Sequence, residues 1–153
     1  MPATARPSDP SETSRHAIKD LIIRYAALVD AGDFAGLGHL LADATFTGSG
    51  KPLHGREEIE RMFRDTVILY PDGTPRTQHV VTNTAVETDE QAGTATALSY
   101  VAVLQSLPGL DLQFIAVGRY DDRFERHDGQ WRFTERQVRI TLIGDVSGHL
   151  RTP

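Results

Sequence analysis

The second half of the chain limits the fold most, because it is a series of strand-like stretches separated by very short connections. Strands joined by a few turn-forming residues must run antiparallel. The pair Asp128-Gly129 is typical of a tight hairpin, and Gly118 in the middle of a long strand indicates a bulge or a sharp bend. The predicted strands are Gln78 to Glu87, Thr94 to Gln105, Asp111 to Arg126 and Trp131 to Ile143.

The first half of the chain predicts helices. Asp9 is a suitable cap for a first helix because Pro10 follows at the first helical position and Glu12 lies three residues after the cap; Ser14 is an alternative cap. Gly32 stands where such a helix commonly ends. Apolar residues recur at helical spacing between these limits, which gives the helix one buried stripe. The stripe consists of Ile18, Leu21, Ile22, Tyr25, Leu28 and Val29.

Two further helices complete the helical half. Asp33 can cap a short second helix, and a third is predicted from Arg56 to Val67, after a brief strand at Ala44 to Thr47. Helices followed by long antiparallel strands are typical of an α+β domain with its helices on one face of the sheet. We therefore expect a curved, mostly antiparallel sheet wrapped around three N-terminal helices, forming a cone with a central pocket.

Length and composition favour one domain with a substantial core, since the chain has 153 residues and 39% hydrophobic residues. We divide it into a flexible leader (residues 1–13), the cone domain (14–145) and a C-terminal tail (146–153). The leader lacks the apolar core of a signal peptide, and no stretch reaches membrane-spanning length. A cytoplasmic protein is the simplest interpretation, with neither membrane nor nucleic acid as a partner, because the net charge is −5.

The absence of cysteine excludes disulfides, thiol nucleophiles and thiolate metal sites. The six histidines lack the spacing of a metal site, and the segment Gly48-Ser49-Gly50-Lys51 is not a phosphate-binding loop. We therefore expect neither a metal ion nor a cofactor.

Several short motifs, taken in order, resemble the SnoaL-like proteins of the nuclear transport factor 2-like, or cystatin-like α+β, superfamily. The resemblance spans residues 15 to 145 and implies the same cone. Its motifs are Ile22-Ile23-Arg24-Tyr25-Ala26, Asp30-Ala31-Gly32-Asp33-Phe34, Leu40-Leu41-Ala42-Asp43-Ala44, Gly55-Arg56-Glu57-Glu58-Ile59, His79-Val80-Val81-Thr82-Asn83, and the tail Gly118-Arg119-Tyr120-Asp121-Asp122 through Gly129-Gln130-Trp131-Arg132-Phe133. Scytalone dehydratase and bile acid dehydratase are the members whose residue pattern is most similar. Members with unrelated activities share this fold, so the reaction must be argued from the site.

Three residues are the candidate catalytic group. His79 can give or take a proton near neutral pH, and Asp30, at the end of the first helix, is a carboxylate that can orient its ring. Tyr25 lies on the buried stripe of that helix, and its hydroxyl can donate to a substrate oxygen. The resemblance to the dehydratases implies a catalytic tyrosine at Tyr25 and a strand histidine at His79.

Five further residues are candidates for binding the substrate. Strict alternation places Asn83 on the same face as His79, and Tyr100 on the next strand can line the pocket. Arg136 and Arg139 lie on opposite faces of the last strand, so one can point inward and bind a carboxylate or polarise a carbonyl. Trp131 is expected in the core or the pocket wall.

These residues predict a cofactor-free enzyme, a lyase or isomerase of the dehydratase, isomerase or cyclase type. It would act on a small hydrophobic, oxygenated molecule such as a polyketide, steroid or terpenoid. Ketosteroid isomerase and bile acid dehydratase carry a strand aspartate in the region that Val101 to Leu104 occupy here. That difference leaves two alternatives open: a binding or accessory domain without chemistry, and a subunit of a larger oxygenase.

The outer face of the predicted sheet is too apolar for water over Val101 to Leu104 and Phe114 to Val117. We expect a homodimer through that face, with a trimer as the alternative.

Overall fold

The computed structural model describes residues 7–151, so Met1 to Arg6 of the predicted leader and the last two residues of the predicted tail lie outside it. The described chain contains three helices and six strands. They are α1 (Pro10–Asp30), α2 (Phe34–Leu40), β1 (Thr45–Thr47), β2 (Leu53–His54), α3 (Gly55–Thr66), β3 (Thr77–Asp89), β4 (Thr94–Leu107), β5 (Leu110–His127) and β6 (Gln130–Ile143).

The strands form one curved sheet in the order β2-β1-β6-β5-β4-β3, and the helices pack on its concave side. The long strands β3 to β6 pair antiparallel, whereas β1 runs parallel to β6. This is the predicted α+β cone. The sequence pattern missed β2, whose two residues are too few to show an alternation.

Local signals set the helix ends as predicted. Asp9 accepts a hydrogen bond from the backbone N–H of Ser11, so α1 begins at Pro10, and Asp33 accepts one from Gly36 at the start of α2. The hairpin between β5 and β6 turns through Asp128 and Gly129, both with positive φ, as a two-residue turn requires.

Bulges change which side chains face the concave side of the sheet. One extra residue of β3 lies between Thr82 and Ala85, and Asn83 takes up the irregularity with a φ of 52°. The predicted bend at Gly118 is also present, since the pairing of β5 with β6 shifts between Val117 and Gly118. A Cβ on Gly118 would lie 2.2 Å from the carbonyl oxygen of Arg139, so only glycine permits this close approach.

The core lies between the helices and the concave face and is rich in aromatic rings. Its buried aromatic side chains are Tyr25, Phe34, Phe46, Phe63, Tyr120, Phe124, Trp131 and Phe133. Within the described residues, no helix is both long and apolar enough to cross a bilayer.

Candidate active site

The C-terminal end of α1 is held against the segment that leads into β3. Gly32 follows the helix with a φ of 70°, and a Cβ there would lie 2.2 Å from the carbonyl oxygen of Gly73. The missing side chain lets the loop at Gly73 pack directly on the helix end. Asp30 is thereby brought next to Thr77 and His79 at the start of β3.

Asp30 and His79 form a hydrogen-bonded pair. Nδ1 of His79 lies 2.6 Å from Oδ1 of Asp30, and the backbone N–H of His79 donates to Oδ2 at 2.8 Å. The hydroxyl of Thr77 donates to Oδ1 at 2.9 Å. The side chains are only 9% exposed for His79 and 21% for Asp30. The carboxylate therefore fixes the imidazole ring and leaves Nε2 to exchange a proton with a ligand.

A second polar pair lies deeper in the cone. Arg136 donates from Nε and Nη2 to the two carboxylate oxygens of Asp122, each at 2.8 Å, and both side chains are fully buried. Burial by itself lowers the pKa of Arg136, but the adjacent Asp122 carboxylate outweighs it and raises that pKa above its usual value. The guanidinium therefore stays charged, and its Nη1 is buried without a hydrogen-bond partner in the described part of the chain.

Aromatic rings enclose the guanidinium of Arg136. Its Cζ lies 3.8 Å from the ring centre of Tyr120 and 4.1 Å from that of Tyr25, so both rings make cation–π contacts. Burial raises the pKa of Tyr25 to about 12, although the nearby charge of Arg136 acts in the opposite direction. The Tyr25 hydroxyl therefore keeps its proton at neutral pH and can serve as a donor.

The structure buries Tyr25 and joins Asp30 to His79, as the sequence predicted for their positions, and it also places Arg136 in the interior. Strand alternation alone did not identify Arg136 over Arg139 as the inward residue. The bulge between Phe133 and Glu135 puts Phe133 and Arg136 on the same face, and Arg139 is exposed beside Gln137 on the convex side.

The predicted inward placement of Asn83 and Tyr100 is wrong. Asn83 occupies the bulge of β3, which turns it away from the face of His79, and it is exposed. Tyr100 alternates with the buried Ser99 and Val101, so it lies on the convex face with 51% of its surface exposed.

Trp131 is in the core, as expected, but it lies far from the Asp30–His79 pair. It packs under the guanidinium of Arg126 at a distance of 5.1 Å, at the start of β6. The register of the sheet connects His79 with the end of β6 instead. Trp131 therefore does not line the same site.

Three polar residues near the site were missed by sequence reasoning. Thr77 orients Asp30, Asp122 holds Arg136, and His149 lies in the C-terminal segment with its Nδ1 buried. A signal existed for Asp122, because it alternates with Tyr120 and Phe124 on the buried face of β5. The sequence contains no such signal for His149, since no local pattern indicates that residues 144–151 pack against the stretch that follows α3.

Two surface clefts, of about 430 and 480 Å³, lie elsewhere. The first is lined by Glu87, Thr96 and Phe124, and Glu87 is roughly 25 Å along β3 from His79 at the usual strand rise. Among residues 7–151, no three potential ligand side chains converge on a point where they could hold a metal ion.

Comparison with known proteins identifies the family. A model of the SnoaL-like domain matches residues 11–137, which is most of the chain. The chain belongs to the SnoaL-like domain family. The resemblance predicted from the sequence motifs is thereby confirmed. No curated protein is significantly similar in sequence.

Solved structures similar to this SnoaL-like chain share its fold. One, from Novosphingobium aromaticivorans, is provisionally assigned as a scytalone dehydratase; it is 21% identical, with a TM-score of 0.70 and 88% of each chain covered. A nuclear transport factor 2-like protein with a cystatin-like fold, from the same organism, is 23% identical, with a TM-score of 0.71, 90% of this chain and 87% of that chain covered. LinA is 23% identical, with a TM-score of 0.71, 93% of this chain and 95% of that chain covered. At these identities the likeness shows the fold.

Proposed function

We propose that this SnoaL-like protein is an acid/base enzyme of the dehydratase, isomerase or cyclase type that needs no cofactor. Its substrate is a small, hydrophobic, oxygenated molecule such as a polyketide, steroid or terpenoid. The observation that carries the proposal is the contact of 2.6 Å between His79 Nδ1 and Asp30 Oδ1, which orients a nearly buried imidazole as a general base.

The proposed reaction begins with the removal of a proton from a carbon next to a carbonyl. Nε2 of His79 takes this proton, and the carboxylate of Asp30 stabilises the imidazolium that forms. In a dehydration, the electron pair left on carbon forms the C=C bond and the bond to the β-hydroxyl breaks. The departing hydroxide takes the proton back from His79 as water, so the catalyst is restored and no cofactor takes part.

The buried polar cluster supports stabilisation of charge on the substrate oxygen. Tyr25 retains its hydroxyl proton, and Arg136 retains its positive charge close to the Tyr25 ring. Donors that are fixed in a water-poor interior lower the energy of a developing oxyanion more than the same donors in water. We assign Tyr25 as the donor to this oxygen, with Arg136 behind it. Membership of the SnoaL-like family, which includes cofactor-free enzymes, is consistent with such a reaction.

Two model compounds test the proposal. Enzyme-catalysed exchange of the α-hydrogens of 1-tetralone in D2O measures proton removal alone, and conversion of 3-hydroxy-1-tetralone to 1-naphthol measures dehydration. We expect His79→Ala to lower both rates by roughly 100-fold or more. The matched control is His16→Ala, since His16 is an exposed histidine on α1. Equal rates for the wild type and His79→Ala would contradict the proposal.

A binding protein without chemistry is the second candidate. It is favoured by the dense aromatic packing around Arg136 and by the distance of both surface clefts from His79. A wild-type protein that binds 1-naphthol, yet accelerates neither exchange nor dehydration, would support this alternative.

We also propose that two copies associate through the convex face of the sheet. Large apolar side chains on neighbouring strands β4, β5 and β6 lie together there, and each is more than half exposed. Monomers rarely leave an extended apolar patch in water, and a second copy would cover this one symmetrically. Its main members are Leu98, Tyr100, Phe114 and Leu142.

A further inference from the structure

The C-terminal segment, residues 144–151, folds back over the α3 side of the cone; we call it the closing segment. Backbone hydrogen bonds attach it to the stretch that follows α3. The N–H of Ile68 donates to the carbonyl of His149 at 2.8 Å, and the N–H of Arg151 donates to the carbonyl of Thr66 at 2.8 Å. The position of His149 is therefore defined by the backbone.

Two side chains, the buried Gln105 of β4 and Tyr70 in the loop before β3, fix the residue that precedes His149. The hydroxyl of Tyr70 donates to the carbonyl of Gly148 at 2.6 Å, and Nε2 of Gln105 donates to the same oxygen at 3.0 Å. Gln105 is the register partner of Thr77, whose hydroxyl donates to Asp30. The closing segment thus lies beside the start of β3, where the Asp30–His79 pair is found.

His149 lies close enough to His79 and Asp30 for the charges of both to act on it. Burial, and to a smaller extent the positive charge that His79 can carry, lower the pKa of His149 to about 4, although the Asp30 carboxylate acts in the opposite direction. At neutral pH the His149 ring is therefore uncharged. Its Nδ1 is buried and has no hydrogen-bond partner among the described residues.

Two imidazoles thus lie near the start of β3. Asp30 is placed to stabilise the protonated form of His79, whereas burial keeps His149 neutral. A neutral imidazole offers one N–H donor and one acceptor nitrogen, and a buried nitrogen without a partner gains a hydrogen bond when a ligand oxygen reaches it.

We propose that His149 completes the site by hydrogen bonding, as a neutral imidazole, to an oxygen of the bound substrate. This inference rests on the proposed function and narrows its substrate class. The substrate is compact, and it carries a carbonyl or hydroxyl oxygen close to the carbon from which His79 removes a proton. The closing segment is then part of the active site and not a free tail.

Nuclear magnetic resonance with 15N-labelled histidine tests the contact directly. The probes are 1-naphthol and naphthalene, which differ only by the hydroxyl group. We expect 1-naphthol to shift the ring nitrogens of His149, identified by their loss in His149→Phe, and naphthalene to leave them unchanged. A shift of the His79 resonances by 1-naphthol, with no shift at His149, would overturn the inference.

Kinetics with 3-hydroxy-1-tetralone test the role of His149 in the reaction. We expect His149→Phe to lower kcat/KM roughly 100-fold, mainly through kcat, as for the loss of one donor to a developing oxyanion. His149→Asn keeps a polar atom near the position of Nδ1 and should recover part of the loss, which separates chemistry from folding. His127→Phe is the control, because His127 is an exposed histidine in the β5–β6 hairpin.

The outcomes separate this inference from the proposed function. A large loss in His79→Ala with full activity in His149→Phe would overturn only the role of His149. A His149 shift with 1-naphthol, combined with activity that does not depend on His79, would support the contact and refute the proposed base. A protein whose histidines respond to neither compound, and which turns over neither tetralone, would overturn both.

Discussion

Asp30 accepts two hydrogen bonds from His79, one from the ring Nδ1 and one from the backbone N–H, and these involve different carboxylate oxygens. The second bond ties the carboxylate to the start of β3 whatever the state of the ring. The ring and its partner therefore stay aligned while His79 gains or loses a proton. This arrangement suits a base that is used repeatedly in one orientation.

Asp30→Asn should abolish most of the proposed activity and leave the fold intact. The amide can still accept from the His79 backbone, but it cannot stabilise the imidazolium. We expect dehydration of 3-hydroxy-1-tetralone to fall roughly 100- to 10,000-fold. Circular dichroism should be unchanged. The matched control is Asp20→Asn, because Asp20 is an exposed aspartate on α1. A comparable loss of activity in that variant would show that the loss does not depend on the contact between Asp30 and His79.

Asp122→Ala should be among the most destabilising single substitutions in the chain. It leaves the charge of Arg136 buried without its carboxylate, at a cost of about 3–5 kcal/mol in the free energy of unfolding. The double variant Asp122→Leu/Arg136→Met should be markedly more stable than the single one, because no lone charge remains. Denaturant titration measures both. The exposed pair Asp43–Arg132 is the control, and Asp43→Ala should cost less than about 1 kcal/mol.

The stability of the protein should fall in acid partly because of His149. Its pKa is about 4 in the folded chain and about 6.5 in the unfolded chain. Between these values the unfolded state binds the extra proton, so stability is lost as pH falls from 6.5 to 4 and the loss is complete below 4. His79, Asp30 and Tyr70 are the titratable groups that face this residue or its segment.

The measurement is the free energy of unfolding against pH for the wild type and His149→Asn. We expect the two curves to diverge by on the order of 3 kcal/mol over this interval, with the wild type losing more. Acid-labile groups that are remote from His149 contribute equally to both proteins and cancel in the difference. Parallel curves would mean that His149 is not buried in its neutral form.

Phe114→Glu should convert the proposed dimer to a monomer. Phe114 is 63% exposed on the convex face, opposite Leu104, so a charge there would be buried at the interface without a partner. Light scattering at micromolar concentration reports the mass. Ile23→Glu is the control because Ile23 is equally apolar and exposed, but lies on α1. A wild-type monomer would refute the proposal outright.

Much of the fold could be predicted from short-range signals. Asp9 and Gly32 determine where α1 begins and ends, and Asp33 determines where α2 begins, since caps and positive φ act within one turn of chain. The turn at Asp128-Gly129 and the alternation of β4 and β5 are equally local. The order of these helices and strands along the chain leaves few ways to bury their apolar faces. The α+β class could therefore be predicted from the sequence.

The site could be predicted only in part. Tyr25, Asp30 and His79 were identified as candidates, and the Asp30–His79 contact was expected as a workable pair although 49 positions separate the two residues. Alternation did not decide on which face of the sheet Asn83 and Arg136 lie. One extra residue in β3 and another in β6 move the side chains that follow to the opposite face of the sheet.

The sequence by itself determined the helices and the long strands, their order, and Asp30 and His79 as a candidate pair, because caps, turns and periodicity depend on neighbouring residues. Only the tertiary structure decided that Arg136 points inward to Asp122 and that His149 returns to the Asp30–His79 pair. Both depend on how a bulged, twisted sheet closes around its helices. That closure is set by the packing of the whole core, which no short stretch of sequence specifies.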